Sequence, residues 1–147
     1  MKKNKKGFTL IELLAVIVIL GIILTIVVSN VVKYVSQARK GSYKDAVAVF
    51  VKNVQTALMA DAVEGGSGTI NASKTYDYDT KNMKISITAS GTDKYLITVE
   101  PTDTGSFKGL KMSGDDNKYC PPKATCDAGG TNGKITFYMT ADGELTD

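Results

Sequence analysis

From Leu13 to Val32 the chain runs for twenty residues without a charge, and only Gly21, Thr25, Ser29 and Asn30 soften the Leu, Ile and Val. As a helix this run rises about 30 Å, the thickness of a hydrocarbon core. It shows no polar face, which a helix at the surface of a soluble core would have. Beyond Lys33 the pattern changes. Tyr43, Ala46, Val47, Phe50, Val54, Ala57 and Leu58 recur at steps of three and four, while Lys44, Asp45, Lys52, Asn53, Gln55 and Asp61 fall mainly off that stripe. This spacing predicts an amphipathic helix. Gly41-Ser42 is a candidate bend, and Gly65-Gly66 ends the helix.

After the linker "EGGSGTINAS" the period shortens to two. "MKISITA" (Met83–Ala89) and "KYLITVE" (Lys94–Glu100) predict a hairpin, closed off by Pro101. "SFKGLKM" (Ser106–Met112) and "KITFYMT" (Lys134–Thr140) predict two more strands, with a turn at Asp142-Gly143. The expected fold is α+β. A long N-terminal helix, apolar all round in its first half and one-sided in its second, packs that second half on a small antiparallel sheet of three or four strands. The eighty or so residues after the helix make a domain only because the helix supplies half the core.

The chain has 147 residues, with 18 basic and 15 acidic side chains. Four lysines, Lys2, Lys3, Lys5 and Lys6, precede Gly7; without them the balance is 14 to 15, so the basic character sits at the N-terminus. Residues 65–147 carry nine lysines against eleven acids, which argues against nucleic acid as a specific partner. The absence of histidine rules out a Ser-His-Asp triad, a Cys-His pair and a His-bearing zinc site. "SGDDNK" (Ser113–Lys118) lacks EF-hand spacing and reads as a solvated acidic loop, with a calcium site as the alternative. "EGGSGT" lacks the lysine of a phosphate loop and follows a helix, so it is a linker. No cofactor is expected. Cys120 and Cys126, in "CPPKATC", do not have redox C-x-x-C spacing and are too few for zinc. On an exported domain they are a candidate local disulfide, with a pair of reduced thiols as the alternative.

The apolar run is too long for an ordinary secretory signal and no small-residue cleavage site follows it, so it reads as a retained transmembrane helix. Lys33, Arg39, Lys40 and Lys44 follow the run, but the four leading lysines are denser and closer to its edge, favouring an N-terminus inside. Glu12 stands at the start of this segment. A carboxylate in the apolar part of a helix costs at least ~2.5 kcal/mol, so it either snorkels to the headgroups or finds a cation at its own depth. No lysine of the chain lies there. A cut between Gly7 and Phe8 would create such a cation as a new α-amine.

"KKGFTLIELLAVIVILGIIL" resembles the class III signal of type IV prepilins and type II secretion pseudopilins. The resemblance covers about the first thirty residues: the basic block, the glycine, Phe-Thr-Leu, the glutamate and the apolar run stand in register. In that family a membrane aspartyl peptidase, the prepilin peptidase, cuts after the glycine on the cytoplasmic side and methylates the new N-terminus. The resemblance implies cleavage after Gly7 and N-methylation of Phe8. It also implies pairing of Glu12 with a neighbouring subunit's N-terminal amine, and local loss of helix at Gly21 in a filament. Many members carry proline where this chain has Ser29; serine disturbs a helix far less, so a kink there is not implied.

The expected organisation is a leader at residues 1–7, a transmembrane and polymerisation half-helix at 8–32, an amphipathic half-helix at 33–64, and a β-rich head at 65–147. The expected function is that of a pilin-like structural subunit, held in the cytoplasmic membrane and then assembled into an extracellular pilus or pseudopilus. Its partners would be other pilin subunits, the prepilin peptidase and the assembly machinery. The alternative is a membrane-tethered adhesin or DNA-binding minor pilin of a competence or secretion system. An enzyme is not expected.

Overall fold

The computed structural model describes residues 7–112, 114–121, 125–126 and 133–146. One helix, α1 (Leu10–Val63), runs through two compact units, residues 1–37 and 38–147. In the first unit every described residue from Gly7 to Ser36 is exposed, including the whole charge-free run. Gly41 and Ser42 both lie within the helix, so the bend suggested there is not an interruption of helical structure.

The helix ends one residue before the expected Glu64. Gly65 takes φ 86°, a left-handed conformation that costs glycine nothing. The Gly66 N–H then donates back to the Asp61 carbonyl at 2.8 Å, and the Gly65 N–H to the Ala62 carbonyl at 3.3 Å. These two bonds form a Schellman cap and satisfy carbonyls the helix would otherwise leave open.

In the second unit the expected stripe is the core face. Tyr43, Val47, Phe50, Val54 and Leu58 are buried, and Val51 joins them. Opposite lies an antiparallel sheet built on β1 (Met83–Ala89), β2 (Lys94–Pro101) and β4 (Ile135–Thr140), in the order β1-β2-β4. Two-residue strands β3 (Thr125–Cys126) and β5 (Leu145–Thr146) both pair with the remaining side of β4. The register sets Ile87 beside Ile97, Ile97 beside Phe137, and Val99 beside Ile135. Period two therefore sends these residues to one face, where they form a single cluster with the helix stripe. The Tyr43 ring meets Phe107 edge-on at 5.1 Å and its hydroxyl donates to the Val99 carbonyl at 3.1 Å, tying helix to sheet. Burial, and secondarily the Glu100 carboxylate, pushes the Tyr43 phenol above its ordinary range, so it stays a donor.

One expected strand is not formed. Residues 106–109 form turns and 110–112 are irregular, with the Lys108 N–H bonded to the Gly105 carbonyl, the Leu110 N–H to the Phe107 carbonyl, and Gly109 at φ 67°. Phe107, Leu110 and Met112 still enter the core. The segment is held to the helix instead of to a strand. Arg39 donates to the Ser106 and Lys108 carbonyls at 2.9 and 2.7 Å. Farther along the chain, the Lys118 carbonyl accepts from Lys44 at 3.0 Å. Lys40 pairs with Asp116 at 2.6 Å. The segment read as a solvated acidic loop is therefore partly a short 3₁₀ turn (Gly114–Tyr119) that buries Asp116 against a helix cation; Ser113 lies outside the described residues.

At the expected Asp142-Gly143 turn, Thr140 donates its hydroxyl to the Asp142 carboxylate, and the Gly143 N–H returns to the Thr140 carbonyl at 3.0 Å. The Thr140 hydroxyl, then its own backbone N–H, hold the Asp142 carboxyl below its ordinary value. A depressed folded-state pKa gives stability that is present above the unfolded value of about 3.9 and is lost as pH falls through the folded one. Asp142→Asn should therefore flatten the acid limb of a melting-temperature profile taken between pH 5 and 2. An unchanged acid limb would show that the turn does not use this charge.

Candidate functional site

The residues singled out at the N-terminus lie together in the first unit. Gly7, Phe8 and Thr9 are outside the helix, which begins at Leu10. Phe8 is 89% exposed. The helix starts there because "TLIE" is a capping box, with Thr9 as the cap and Glu12 three residues on. The Thr9 N–H and hydroxyl both donate to Oε2 of Glu12 at 2.8 Å, and the Glu12 N–H donates to the Thr9 hydroxyl at 3.3 Å. Glu12 thus has a partner inside its own chain, one that counting charges along the sequence does not reveal. The T-x-x-E spacing before an apolar run is the signal for it.

This arrangement fixes the carboxylate at the helix N-terminus, where the helix dipole favours an anion. Both Thr9 bonds fall on Oε2, so Glu12 Oε1 carries no described hydrogen bond within the chain. A cation delivered from outside can reach that oxygen without breaking the cap.

The polar residues of the apolar run are absorbed by its own backbone. Thr25 donates to the Ile22 carbonyl at 2.7 Å, and Ser29 and Asn30 donate to the Ile26 carbonyl at 3.0 and 3.2 Å. They add no unsatisfied group to an apolar setting. Gly21 lies inside the helix, and a Cβ built there meets nothing within 4 Å. The helix is long and apolar enough to cross a membrane. As it stands, a continuous apolar surface of this size is covered either by lipid or by other protein.

The remaining singled-out residues lie in the second unit. Cys120 is buried at the end of the 3₁₀ turn, and Cys126 pairs with Ile135 in the β3–β4 ladder. The Cys126 side chain is outside the described residues, as are Lys2, Lys3, Lys5 and Lys6. An open cleft of about 480 Å³ is lined by Lys84, Glu100, Asp103 and Lys108. Among the described residues no group of three or more metal-ligating side chains converges.

Comparison with known proteins fits this geometry. Residues 2–28 match the prokaryotic N-terminal methylation motif. The chain is 30% identical to the fimbrial protein EcpC of Eikenella corrodens, over an alignment of 139 positions that spans 82% of this chain and 91% of that protein. No solved structure matches the chain. This kinship points to a structural and not a catalytic protein, anchored in a membrane and assembling with other pilin subunits. A methylation motif on an exposed apolar helix, together with a fimbrial relative matched along nearly its whole length, makes the chain a member of the type IV pilin-like fimbrial family.

Proposed function

We propose that this chain is a filament subunit processed by a prepilin peptidase between Gly7 and Phe8, methylated on the Phe8 amine, and polymerised through its N-terminal helix. The observation that carries the reading is the Thr9–Glu12 cap at the head of an apolar helical segment that is exposed as far as Ser36. Cleavage needs an accessible, extended backbone, and Gly7-Phe8 lies just outside the helix. Cutting there removes the four leading lysines and leaves a cationic amine four residues from Glu12. The amine of one subunit then neutralises the Glu12 carboxylate of the next.

Exchanging lipid for like helices gains little hydrophobic energy, because lipid tails are as apolar as leucine. The charge pair therefore sets register more than it stabilises. Before assembly the subunit sits in the cytoplasmic membrane with its N-terminus inside, oriented by the leading lysines. Gly21, at about 1 kcal/mol less helix-favouring than alanine, is where the helix loosens in the filament. Cys120 and Cys126 close a short loop as a disulfide, consistent with an exported head.

The test is expression with and without a prepilin peptidase, followed by mass spectrometry. The expected mature chain begins at Phe8 and carries one added methyl group only when the peptidase is present. A chain left whole, or one cut after Val28, overturns the reading.

A further inference from the structure

The sheet of the second unit ends on β1, whose outer side pairs with no strand among the described residues. The pairing phase shows which backbone groups that side exposes. The Thr102 N–H donates to the Asn82 carbonyl at 3.1 Å, and the Ser90 N–H to the Lys94 carbonyl at 2.7 Å. Between these two bonds β1 and β2 run in unbroken register. Lys84, Ser86 and Thr88 therefore exchange bonds with β2, while Met83, Ile85, Ile87 and Ala89 turn their N–H and C=O groups outward. The Met83 N–H donates to the Asp79 carbonyl at 3.0 Å. The outward groups of Ile85, Ile87 and Ala89 have no hydrogen-bond partner among the described residues. Proteins usually blunt such an edge with proline, a bulge or charge. Residues 85–89 have none of these, and the one charge of the strand, Lys84, lies before them.

Beside this edge, on its helix side, lies a cleft of about 190 Å³ lined by Phe50, Tyr76, Tyr78, Ile85 and Ile87. Ligand pockets hold about 300–1,000 Å³, so this one suits a single side chain better than a small molecule. Lys74 is the only charged residue that lines it. Its side chain is 45% exposed, and its contact with Asp61 is a loose 3.6 Å. A strand laid along β1 sends every second side chain to the cleft face.

We propose that β1 is a docking edge for an extended segment of another protein. The segment adds an antiparallel strand, places one apolar side chain in the cleft and sets an acid against Lys74. A second copy of this chain is the poorer occupant. Its own β1 could pair backbone to backbone, but its Ile85 and Ile87 already pack on their own core and leave the cleft unfilled. The surface lies wholly in the second unit and does not depend on how the N-terminal helix assembles.

The test uses the full chain in detergent and a fluorescein-labelled heptapeptide. The peptide alternates valine with threonine, has leucine at its centre and ends in glutamate. Saturable binding, read by anisotropy, is expected. In an antiparallel strand the residues whose side chains enter the cleft also turn their amides toward β1. Methylating the valine and leucine amides should therefore weaken binding about ten-fold or more, and methylating the threonine amides should not. Ala89→Pro removes an outward donor and no bond to β2, so it should weaken binding about ten-fold with the melting temperature unchanged. Lys74→Glu should reverse the preference for glutamate over lysine at the end of the peptide. No saturable binding, equal losses from the two methylated peptides, or unaltered binding to Ala89→Pro overturns the docking edge. An unchanged end preference overturns the role of Lys74. Self-association of the parent chain that Ala89→Pro removes overturns the choice of occupant.

Discussion

Glu12→Ala, expressed as the sole subunit, is expected to insert in the membrane and lose its leader normally, yet yield almost no filaments. Insertion becomes easier, because a carboxylate is removed from the apolar segment. The proposed cleavage site at Gly7-Phe8 stays outside the helix, since losing a cap frays a helix start and does not extend it. Assembly fails because the incoming amine meets no anion, and leaving one charge of a buried pair without its partner costs about 3–5 kcal/mol. The capping box makes a second variant decisive. Glutamine at the third helical position still accepts from the cap residue. Glu12→Gln therefore retains the Thr9 bonds but not the charge, and it should fail nearly as badly as alanine. Electron microscopy of sheared material is the measurement. Normal filaments from Glu12→Gln would mean the residue serves only to start the helix.

Phe50→Ala should destabilise the second unit by about 3–5 kcal/mol, the range for truncating a buried aromatic ring. Phe50 is 1% exposed and meets the Tyr78 ring edge-on at 5.9 Å, so truncation removes both apolar burial and an aromatic contact. Total stabilities of about 5–15 kcal/mol leave little margin for such a loss. A melting temperature lower by roughly 15 °C or more follows for a unit of this size. Its sequence neighbour is the control. Val49 is 57% exposed, and Val49→Ala should change stability by no more than about 0.5 kcal/mol. Comparable losses at the two positions, read by circular dichroism in detergent, would overturn the assignment of core and outer faces.

The helix and the first hairpin were legible because each obeys one period over many residues. The stripe from Tyr43 to Leu58 and the bounds of Met83–Ala89 follow directly from spacing. Ser106–Met112 misled for a physical reason. Phe107, Leu110 and Met112 are buried, as a strand's inner face would be, but Gly109 takes a positive φ that turns the backbone. Apolar content marks burial, not extension. Strands β3 and β5 are two residues each, too short for any period to show. The Lys40–Asp116 pair joins positions 76 apart, which no local pattern encodes. At the candidate site the Glu12 anomaly was visible as charge, whereas Thr9 was visible only as capping chemistry.

The sharing of one helix between the two units decides where this protein can be severed. A fragment that begins near Ala38 keeps Tyr43, Val47, Phe50, Val54 and Leu58 over the sheet and should be soluble as a unit. A fragment that begins at Gly65 leaves Ile97, Val99, Ile135 and Phe137, each at most 1% exposed in the intact fold, open to water. It should aggregate. A protease acting on assembled or membrane-held subunits can therefore shed an intact head only by cutting upstream of Tyr43.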